Sequence, residues 1–481
     1  MRALFLFGLS LFFVVTSCQD DLDDKLLPLD LQSRDFIWKG MNLYYLWQGQ
    51  VPDLADTRFQ TQTQLNQYIQ GFASPEALFD NLLFEKGTTD RFSVIFNDYT
   101  VLEQILSGSS ATTGMDYGLR FKQGSTTDIF GWVRYVMPNT DAASKGVQRG
   151  MIFHAVNGTP LTASNYVSLL SQNSFTINLA DFDGGNITPN GQSIALSRAP
   201  YNENPVLVSS VIPQGDKKIG YLMYNGFFTN FETQLNQVFA NFLSQGVTHL
   251  VVDLRYNSGG SVATCTRLAS MITGQFTGQI FASQQWNQKV MNFYASQNNS
   301  EALINRFTTS LGSGAAISSL QLNQVIVLTT PSSASASELL INGLKPYINV
   351  VQIGGVTSGK NVGSVTLYDS PNFTKNNVNP SHKYAMQPLV LKIVNKDGFG
   401  DYADGISPSA SNILVENLGN LGVLGSPSEP FLNAALQYIQ TNGRPVAGKK
   451  VELFAPLSDS KKILPFGAEM YVETPDLGGL R

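Results

Sequence analysis

Cysteine, histidine and charge are all scarce in this chain of 481 residues, which has two cysteines and three histidines. Cys18 and Cys265 would give one bridge at most, so a disulfide framework is excluded as the source of stability. The histidines, His154, His249 and His382, are widely separated. We therefore reject a histidine-based metal site and a Ser-His-Asp triad. Charged residues make up only 14% of the chain, with a net charge of −5 and no basic block, which excludes nucleic-acid binding.

The N-terminus has the pattern of an export signal. Arg2 precedes an apolar run from Leu4 to Val15 that is too short to cross a bilayer, and "VTSC", ending at Cys18, resembles a bacterial lipobox. The following "QDDLDD" resembles the export tags of Bacteroidetes surface lipoproteins. We expect residues 1–18 to be a lipoprotein signal peptide and Cys18 to carry a lipid that anchors the protein to a membrane. The alternative is a buried N-terminal helix.

This signal sets the expected location and the state of the second cysteine. We expect an outer-membrane or cell-surface lipoprotein of a Gram-negative bacterium, on the periplasmic or the extracellular face. With Cys18 lipidated, Cys265 has no disulfide partner. Cys265 lies in the helix-like "SVATCTRLASMI", which predicts a buried structural thiol.

Hydrophobic patterning divides the rest of the chain into four segments. Residues 19–108 predict helices, because apolar side chains recur at three- and four-residue intervals in "DFIWKGMNLYYLWQGQV" and "SPEALFDNLLFE". Residues 109–200 predict short strands with one or two helices. Residues 213–445 alternate apolar strands such as "THLVVDL" and "QVIVLTT" with helices, which predicts an α/β layer structure. The tail, residues 446–481, has no role that we can assign.

Three polar loops follow strands of the α/β segment: "DLRYNSGGS", "PSSASASE" and "GGVTSGKN". If their strands are neighbours in one sheet, the loops converge on one patch. A serine nucleophile needs a base, and these loops contain no histidine, so Lys360 in the third loop is the candidate. Lys360 qualifies only if burial lowers its pKa.

Each of these features also has a simpler interpretation. Lys360 could be an ordinary solvent-exposed lysine. Ser335 with Glu338 has the spacing of a helix capping box. Gly259 and Gly260 could direct backbone N–H groups at a developing oxyanion, or could merely allow a tight turn.

Taken together, "SSASASE", "DLRYNSGG" and "GGVTSGK" resemble the motifs of the C-terminal processing peptidases, which are serine proteases with a PDZ domain and a crotonase-like α/β core. The segments "YGLRF" and "TDAASKGVQRGMIFHAVNGTPL" resemble parts of a PDZ domain, although another small β-rich domain is the alternative. The resemblance covers roughly residues 115–441. It implies an α/β fold class with a crotonase-like catalytic core (213–445), a PDZ-like β-rich domain (109–200) and a helical N-terminal domain (19–108).

The resemblance also implies the catalytic groups. Ser335 is expected to be the nucleophile and Lys360, 25 residues later, the base. The oxyanion hole is expected to use the N–H of Ala336 and one from Gly259 or Gly260. No metal and no organic cofactor is implied.

Further residues are expected to assist. Glu338 is a possible support of the loop, and so is Ser364, which stands where the family often has a glutamine that orients the lysine. The residues expected to bind a peptide carboxylate are Gly118, Leu119, Arg120 and Phe121.

The expected function is that of a serine endopeptidase of the C-terminal processing type. It would cleave polypeptides outside the cytoplasm and recognise them through their C-termini. One alternative is a catalytically inactive PDZ-containing surface lipoprotein that binds peptides, which the serine at position 364 favours. A hydratase or thioesterase on the same core is the other alternative, and it would need an acyl-carrier pocket and an acid/base carboxylate.

Overall fold

The computed structural model describes residues 27–441, 454–464 and 466–477. The predicted signal peptide and Cys18 lie outside the described residues. Within these ranges, every helix is too short or too polar to cross a membrane.

The first described segment is mainly helical, as the apolar spacing predicted. Side-chain oxygens cap three of its helices: Thr61 accepts from Gln64 N, Ser74 from Ala77 N, and Asp98 from Thr100 N. The elements are α1 (Leu29–Tyr44), α2 (Gln62–Gln70), α3 (Pro75–Asn81), β1 (Val94–Phe96) and α4 (Tyr99–Leu106).

The second segment is rich in strands, in agreement with the sequence pattern. Its elements are β2 (Ser109–Thr112), β3 (Met115–Phe121), β4 (Ile129–Val136), α5 (Asp141–Ser144), β5 (Ile152–Val156), β6 (Thr159–Pro160), α6 (Tyr166–Leu170), β7 (Ser174–Asp183), β8 (Asn186–Ser197) and β9 (Ala199–Asn202). Strands β3, β4, β5, β7 and β8 are successive neighbours in one sheet. We call this part of the chain the β-rich segment.

The third segment alternates strands and helices. Its elements are β10 (Val206–Gln214), β11 (Lys217–Tyr224), α7 (Glu232–Ser244), β12 (His249–Asp253), β13 (Gly259–Ser261), α8 (Val262–Thr273), β14 (Ile280–Trp286), α9 (Gln288–Ser296), β15 (Ile304–Arg306), β16 (Gln324–Thr329), α10 (Ala336–Leu344), β17 (Asn349–Gly354), β18 (Val362–Ser364), β19 (Leu367–Tyr368), β20 (Ala385–Gln387), β21 (Leu389–Asn395) and α11 (Pro430–Gln440). The predicted α/β fold class and helical N-terminal part are confirmed.

A five-stranded sheet with the order β10-β11-β12-β16-β17 forms the centre of this segment. Its last four strands are parallel and covered on both faces. Along β16, Val325 and Val327 belong to one buried cluster, while Ile326 and Leu328 belong to the cluster on the opposite face. This alternation follows from the two-residue period of a strand.

The tail contributes two strands, β22 (Pro456–Asp459) and β23 (Glu469–Tyr471). Strand β22 pairs antiparallel with β3, at the edge of the β-rich sheet. Strand β23 lies between β13 and β18 in a six-stranded sheet and is parallel to both. The tail, to which the sequence pattern assigned no role, therefore connects the β-rich segment with the α/β segment.

Helix α10, which follows the serine-rich loop, packs closely enough against β14 to exclude a methyl group. A Cβ on Gly343 would lie 2.4 Å from a ring atom of Phe281. We predict that Gly343→Ala lowers the free energy of unfolding by about 1–3 kcal/mol, since overpacking outweighs the better helix propensity of alanine. Denaturant titration measures the loss. Gly49→Ala, where nothing lies within 4 Å of the added methyl, should stay within about 0.5 kcal/mol of wild type. Equal stability of the two variants would contradict the packing.

Candidate active site

The three polar loops meet at one edge of the five-stranded sheet. Strands β12, β16 and β17 are adjacent and parallel, so the loops that follow them emerge side by side. Asn257 O accepts from Ala334 N at 3.1 Å and from Ser337 Oγ at 3.0 Å, which joins the first loop to the second. Ser358 N donates to Ser333 O at 2.9 Å, which joins the third. The predicted convergence is confirmed.

Ser335 stands at the turn from the second loop into α10, and its backbone is strained. Its φ is 65° and its ψ is −115°, in a region that residues with a side chain rarely adopt. Such a conformation costs about 1–3 kcal/mol and persists where the surroundings enforce it. Hydrolases use a serine on a strained strand-to-helix turn to present a nucleophile. The side chain is 0% exposed.

The other three serines of the loop hold it in place. The Ser332 hydroxyl donates to Asp459 Oδ2 at 2.8 Å, and the Ser333 hydroxyl donates to Leu254 O at 2.7 Å. The Ser337 hydroxyl makes the bond to the first loop given above. These three residues therefore have structural roles that the sequence could not separate from catalysis.

A single buried carboxylate connects the serine loop with the lysine loop. Glu338 Oε2 accepts from Ser335 N at 2.7 Å and from Lys360 N at 2.8 Å. Its Oε1 accepts from Gly359 N at 2.7 Å and from the Thr357 hydroxyl at 2.5 Å. Both backbone nitrogens bind the same oxygen atom, Oε2. The nitrogens of Ser335 and Lys360 are therefore separated by no more than the sum of the two distances, 2.7 Å and 2.8 Å.

Burial and hydrogen bonding have opposite effects on the pKa of the Glu338 carboxyl. Burial raises the pKa of Glu338 above its ordinary value, although hydrogen bonds from Thr357 and from the backbone of Lys360, Ser335 and Gly359 act to lower it. The Thr357 hydroxyl accepts a backbone N–H elsewhere and so donates its own proton to Glu338. All four partners therefore donate, and the ionised carboxylate satisfies every one of them. The predicted capping box is present, and its glutamate also reaches the lysine loop.

Lys360 is buried, so its interpretation as a surface lysine is wrong. The side chain is 0% exposed, and Nζ donates to Ala468 O at 2.6 Å. Nζ also lies 4.8 Å from the ring centroid of Phe92 and 5.5 Å from that of Phe466. The lysine amine thus sits among two aromatic rings and a backbone carbonyl, an environment with little access for water.

The predicted oxyanion donors differ in their surroundings. Gly259 is the less available of the two glycines, because its N–H donates to Asn257 Oδ1 at 2.9 Å. Gly260 has a φ of 136°, and a Cβ there would lie 2.5 Å from Phe227 O, so only glycine fits. Ala336 is the first residue of α10, where a backbone N–H has no acceptor one turn earlier in the helix. Gly260 and Ala336 stay predictions.

Ser364 lies on β18, beside the tail. Its hydroxyl donates to Met470 O of β23 at 3.3 Å, and the residue is fully buried. The tail strand thus accepts a hydrogen bond from Ser364, which stands where the family resembled often has a glutamine. Support of the lysine by Ser364 stays a prediction.

A peptide-binding role stays a prediction for the segment expected to hold the carboxylate. Its four residues are part of strand β3, which pairs with β4 on one side and with the tail strand β22 on the other. The N–H of Phe121 donates to Ala455 O at 3.0 Å, and Asp459, Ser458 and Pro456 lie opposite the rest. The residues concerned are Gly118, Leu119, Arg120 and Phe121.

A buried arginine anchors the first loop beneath the site. Arg255 donates to Asp253 Oδ2 at 2.7 Å and to Glu429 Oε1 at 2.8 Å. Burial lowers the pKa of Arg255, but the two carboxylates raise it more, so the guanidinium stays charged. The Thr330 hydroxyl of the serine loop donates to Arg255 O. Across residues 27–441, 454–464 and 466–477, no group of three or more His, Cys, Asp or Glu side chains is placed to hold a metal ion.

The sequence patterns missed the groups around the lysine amine. Phe92 comes from the N-terminal segment, and Phe466 and Ala468 come from the unassigned tail. Arg91 Nη2 donates to Gly359 O at 2.6 Å across 268 positions of sequence. An Arg-Phe pair also occurs at positions 58–59, so the dipeptide itself carries no signal.

Comparison with known proteins agrees with this arrangement. The model of peptidase family S41 matches residues 218–374, which contain both Ser335 and Lys360, and the model of the peptidase S41 N-terminal domain matches residues 32–94. The chloroplastic C-terminal processing peptidase of Tetradesmus obliquus is 24% identical over 267 residues, which are 52% of this chain and 52% of that relative's length. The chain therefore spans about half of that relative.

A crystal structure described as an S41 protease, from Bacteroides fragilis, has the same fold. It is 26% identical in sequence, with a TM-score of 0.65, over 85% of this chain and 98% of that one. The two family models, the relative and this structure agree with one another: residues 32–94 and 218–374 match peptidase family S41, and the fold is that of an S41 protease.

Proposed function

We propose that this chain is a serine endopeptidase of the C-terminal processing type, with Ser335 as the nucleophile and Lys360 as the base. The observation that carries the proposal is the bridge through Glu338, whose Oε2 accepts the backbone N–H of both residues. A carboxylate that binds both backbones limits how far the serine can move from the lysine. Such positioning is what a two-residue catalytic unit requires.

In the first half of the reaction, Ser335 Oγ attacks the carbonyl carbon of the scissile peptide bond. Its proton passes to the neutral amine of Lys360 while the Oγ–C bond forms and the carbonyl oxygen becomes an oxyanion. The N–H of Ala336, at the start of α10, supports that oxyanion together with Gly260. The C–N bond then breaks, and the lysine returns the proton to the departing amine.

In the second half, water replaces the amine. The neutral lysine takes a proton from the water, whose oxygen bonds to the acyl carbon. The ester bond to Ser335 then breaks, and the proton returns to Oγ, so the new carboxyl end leaves and the enzyme is restored.

Substrate access requires part of the molecule to move. Both reacting side chains are 0% exposed. Two cavities flank the tail next to the loops, one of about 110 Å³ lined by Ser258 and Lys461, the other of about 390 Å³ lined by Ser332 and Ser458. We infer that an extended polypeptide enters where tail residues now separate these cavities.

The proposed location rests on the N-terminal motif. A signal peptide with lipid on Cys18 would place the enzyme in the outer membrane or at the cell surface, on the periplasmic or extracellular face. Its substrates would then be polypeptides outside the cytoplasm. We also propose that the enzyme recognises the C-termini of its substrates. If a C-terminus binds at the edge of β3, the tail strand β22 must first leave that edge.

We predict that Ser335→Ala abolishes cleavage of an unstructured protein, because the attacking oxygen is removed. Mass spectrometry of the fragments measures the activity. Ser337→Ala is the matched control, since this serine is equally buried and only two residues away. The control should lose about 1 kcal/mol of stability and keep its activity. Near wild-type cleavage by Ser335→Ala would contradict the mechanism, and a wild type that binds the protein without cleaving it would favour the inactive peptide-binding alternative.

A second prediction concerns the base and pH. Acidification protonates the Lys360 amine and removes the lone pair that accepts the serine proton, so the single-turnover rate should fall as pH decreases. Lys360→Arg should be inactive at every accessible pH, because guanidinium stays charged. The measurement is the pH–rate profile of both proteins. An arginine variant that cleaves as fast as wild type would show that Lys360 is not the base.

A further inference from the structure

The N-terminal segment contributes two side chains to the surroundings of the lysine. Arg91 Nη2 donates to Gly359 O at 2.6 Å and to Ala403 O at 3.3 Å, so it holds the turn immediately before Lys360. The next residue, Phe92, places its ring centroid 4.8 Å from Lys360 Nζ. The two residues therefore hold the lysine at its backbone and at its amine.

This arrangement is anchored in the N-terminal segment itself. The buried Asp90 carboxylate accepts from Phe92 N at 3.2 Å and from Ser93 N at 2.9 Å, and its other oxygen accepts from the Tyr45 hydroxyl at 2.7 Å. Ser93 Oγ accepts from Leu389 N at 2.9 Å. Residues 90–93 are thus fixed on one side to the helical segment and on the other to the strand beside the lysine loop.

On the other side of the amine lies the tail. Ala468 O accepts from Nζ at 2.6 Å, and the Phe466 ring lies 5.5 Å away. A neutral amine has two N–H groups and one lone pair. When one N–H is directed at a carbonyl, rotation of the amine is restricted, and the lone pair can be held toward an incoming O–H.

From this geometry we propose that Arg91 and Phe92 are positioning residues for the base, and that supplying them is a function of the N-terminal segment in the reaction proposed above. The inference rests on that proposed function. Phe92 excludes water from one side of the amine, and this loss of hydration disfavours the ammonium form by more than attraction to the ring face favours it. The positive charge of Arg91 near the same turn acts in the same direction.

Other ionisable groups lie on the elements packed around the lysine. Glu338 binds the backbone of the lysine turn, and Asp90 binds the backbone of Phe92. Tyr402 lies beside Ala403, and burial raises the pKa of its hydroxyl well above the ordinary value. The negative charges of Glu338 and Asp90 favour the ammonium form of Lys360. Arg91 and Phe92 oppose this effect, so removal of either side chain should favour the ammonium form.

The test uses the full chain and a small fluorophosphonate that phosphonylates the active serine, with loss of fluoride, without needing the polypeptide site. Phe92→Ala admits water to the amine. Its phosphonylation rate at pH 7 should fall at least about tenfold, the change expected when the acid limb moves by one pH unit, and should recover as the pH is raised. Phe92→Leu keeps the wall apolar and should not move the acid limb to higher pH.

Arg91→Ala provides the second test, because this side chain is exposed and its removal leaves the core intact. It should also move the acid limb to higher pH, with kcat on an unstructured protein reduced and KM unchanged. Arg58→Ala is the matched control. Arg58 also lies over the ring of the following phenylalanine, at 4.7 Å against 4.8 Å for Arg91, but it makes its ion pair with Asp53. The control should match wild type.

The outcomes separate this inference from the proposed function. If wild type is phosphonylated at Ser335, but Phe92→Ala and Arg91→Ala keep the wild-type pH profile, the positioning role is overturned and the peptidase stands. Equal losses in Arg91→Ala and Arg58→Ala would overturn it as well. If the wild type neither cleaves protein nor reacts with the probe, the proposed function itself fails, and this role fails with it.

Discussion

The arrangement of the site depends on one buried carboxylate. Removing a carboxylate from water costs several kcal/mol, and this cost is offset only when its lone pairs are filled. Glu338 fills them with donors from the turn into α10 and from the lysine loop, each bond to the charged acceptor contributing about 1.5–3 kcal/mol. The same bonds stabilise the strained backbone of Ser335. Glu338 therefore caps helix α10 and also links the loop of Ser335 to the loop of Lys360.

The surroundings of Lys360 come from distant parts of the chain. The sheet supplies the loop, the N-terminal segment supplies Phe92, and the tail supplies Phe466 and the Ala468 carbonyl. The tail also fills the edge of β3 and bonds to Ser332 of the serine loop through Asp459. A change in the docking of the tail would thus reach both reacting groups at once, without any movement of the central sheet.

The sequence predicted what depends on local pattern. The alternation of apolar strands with helices identified β12, β16 and β17. The loops that follow β16 and β17 carry Ser335 and Lys360. The capping-box spacing identified Glu338 as a partner of Ser335, but not its bond to Lys360 N, because contacts between loops depend on strand order. Nothing in the pattern showed that the N–H of Gly259 would be taken by Asn257, or that β22 would cover the 118–121 strand. Those contacts depend on backbone geometry and on pairing across more than 300 residues.

The central claim is that Glu338 holds the proposed nucleophile and base together, and the rate of Ser335 phosphonylation by a fluorophosphonate tests it most directly. In Glu338→Gln an amide NH₂ faces backbone N–H donors, so the two loops should separate, and phosphonylation should slow about 100-fold, as expected for a displacement near 1 Å. Glu232→Gln is the matched control. Glu232 is also a buried carboxylate, and it accepts from Thr264, Arg267 and Gly312, none of which belongs to the three loops, so this variant should be phosphonylated at the wild-type rate. A folded Glu338→Gln protein that reacts as fast as wild type would contradict the account.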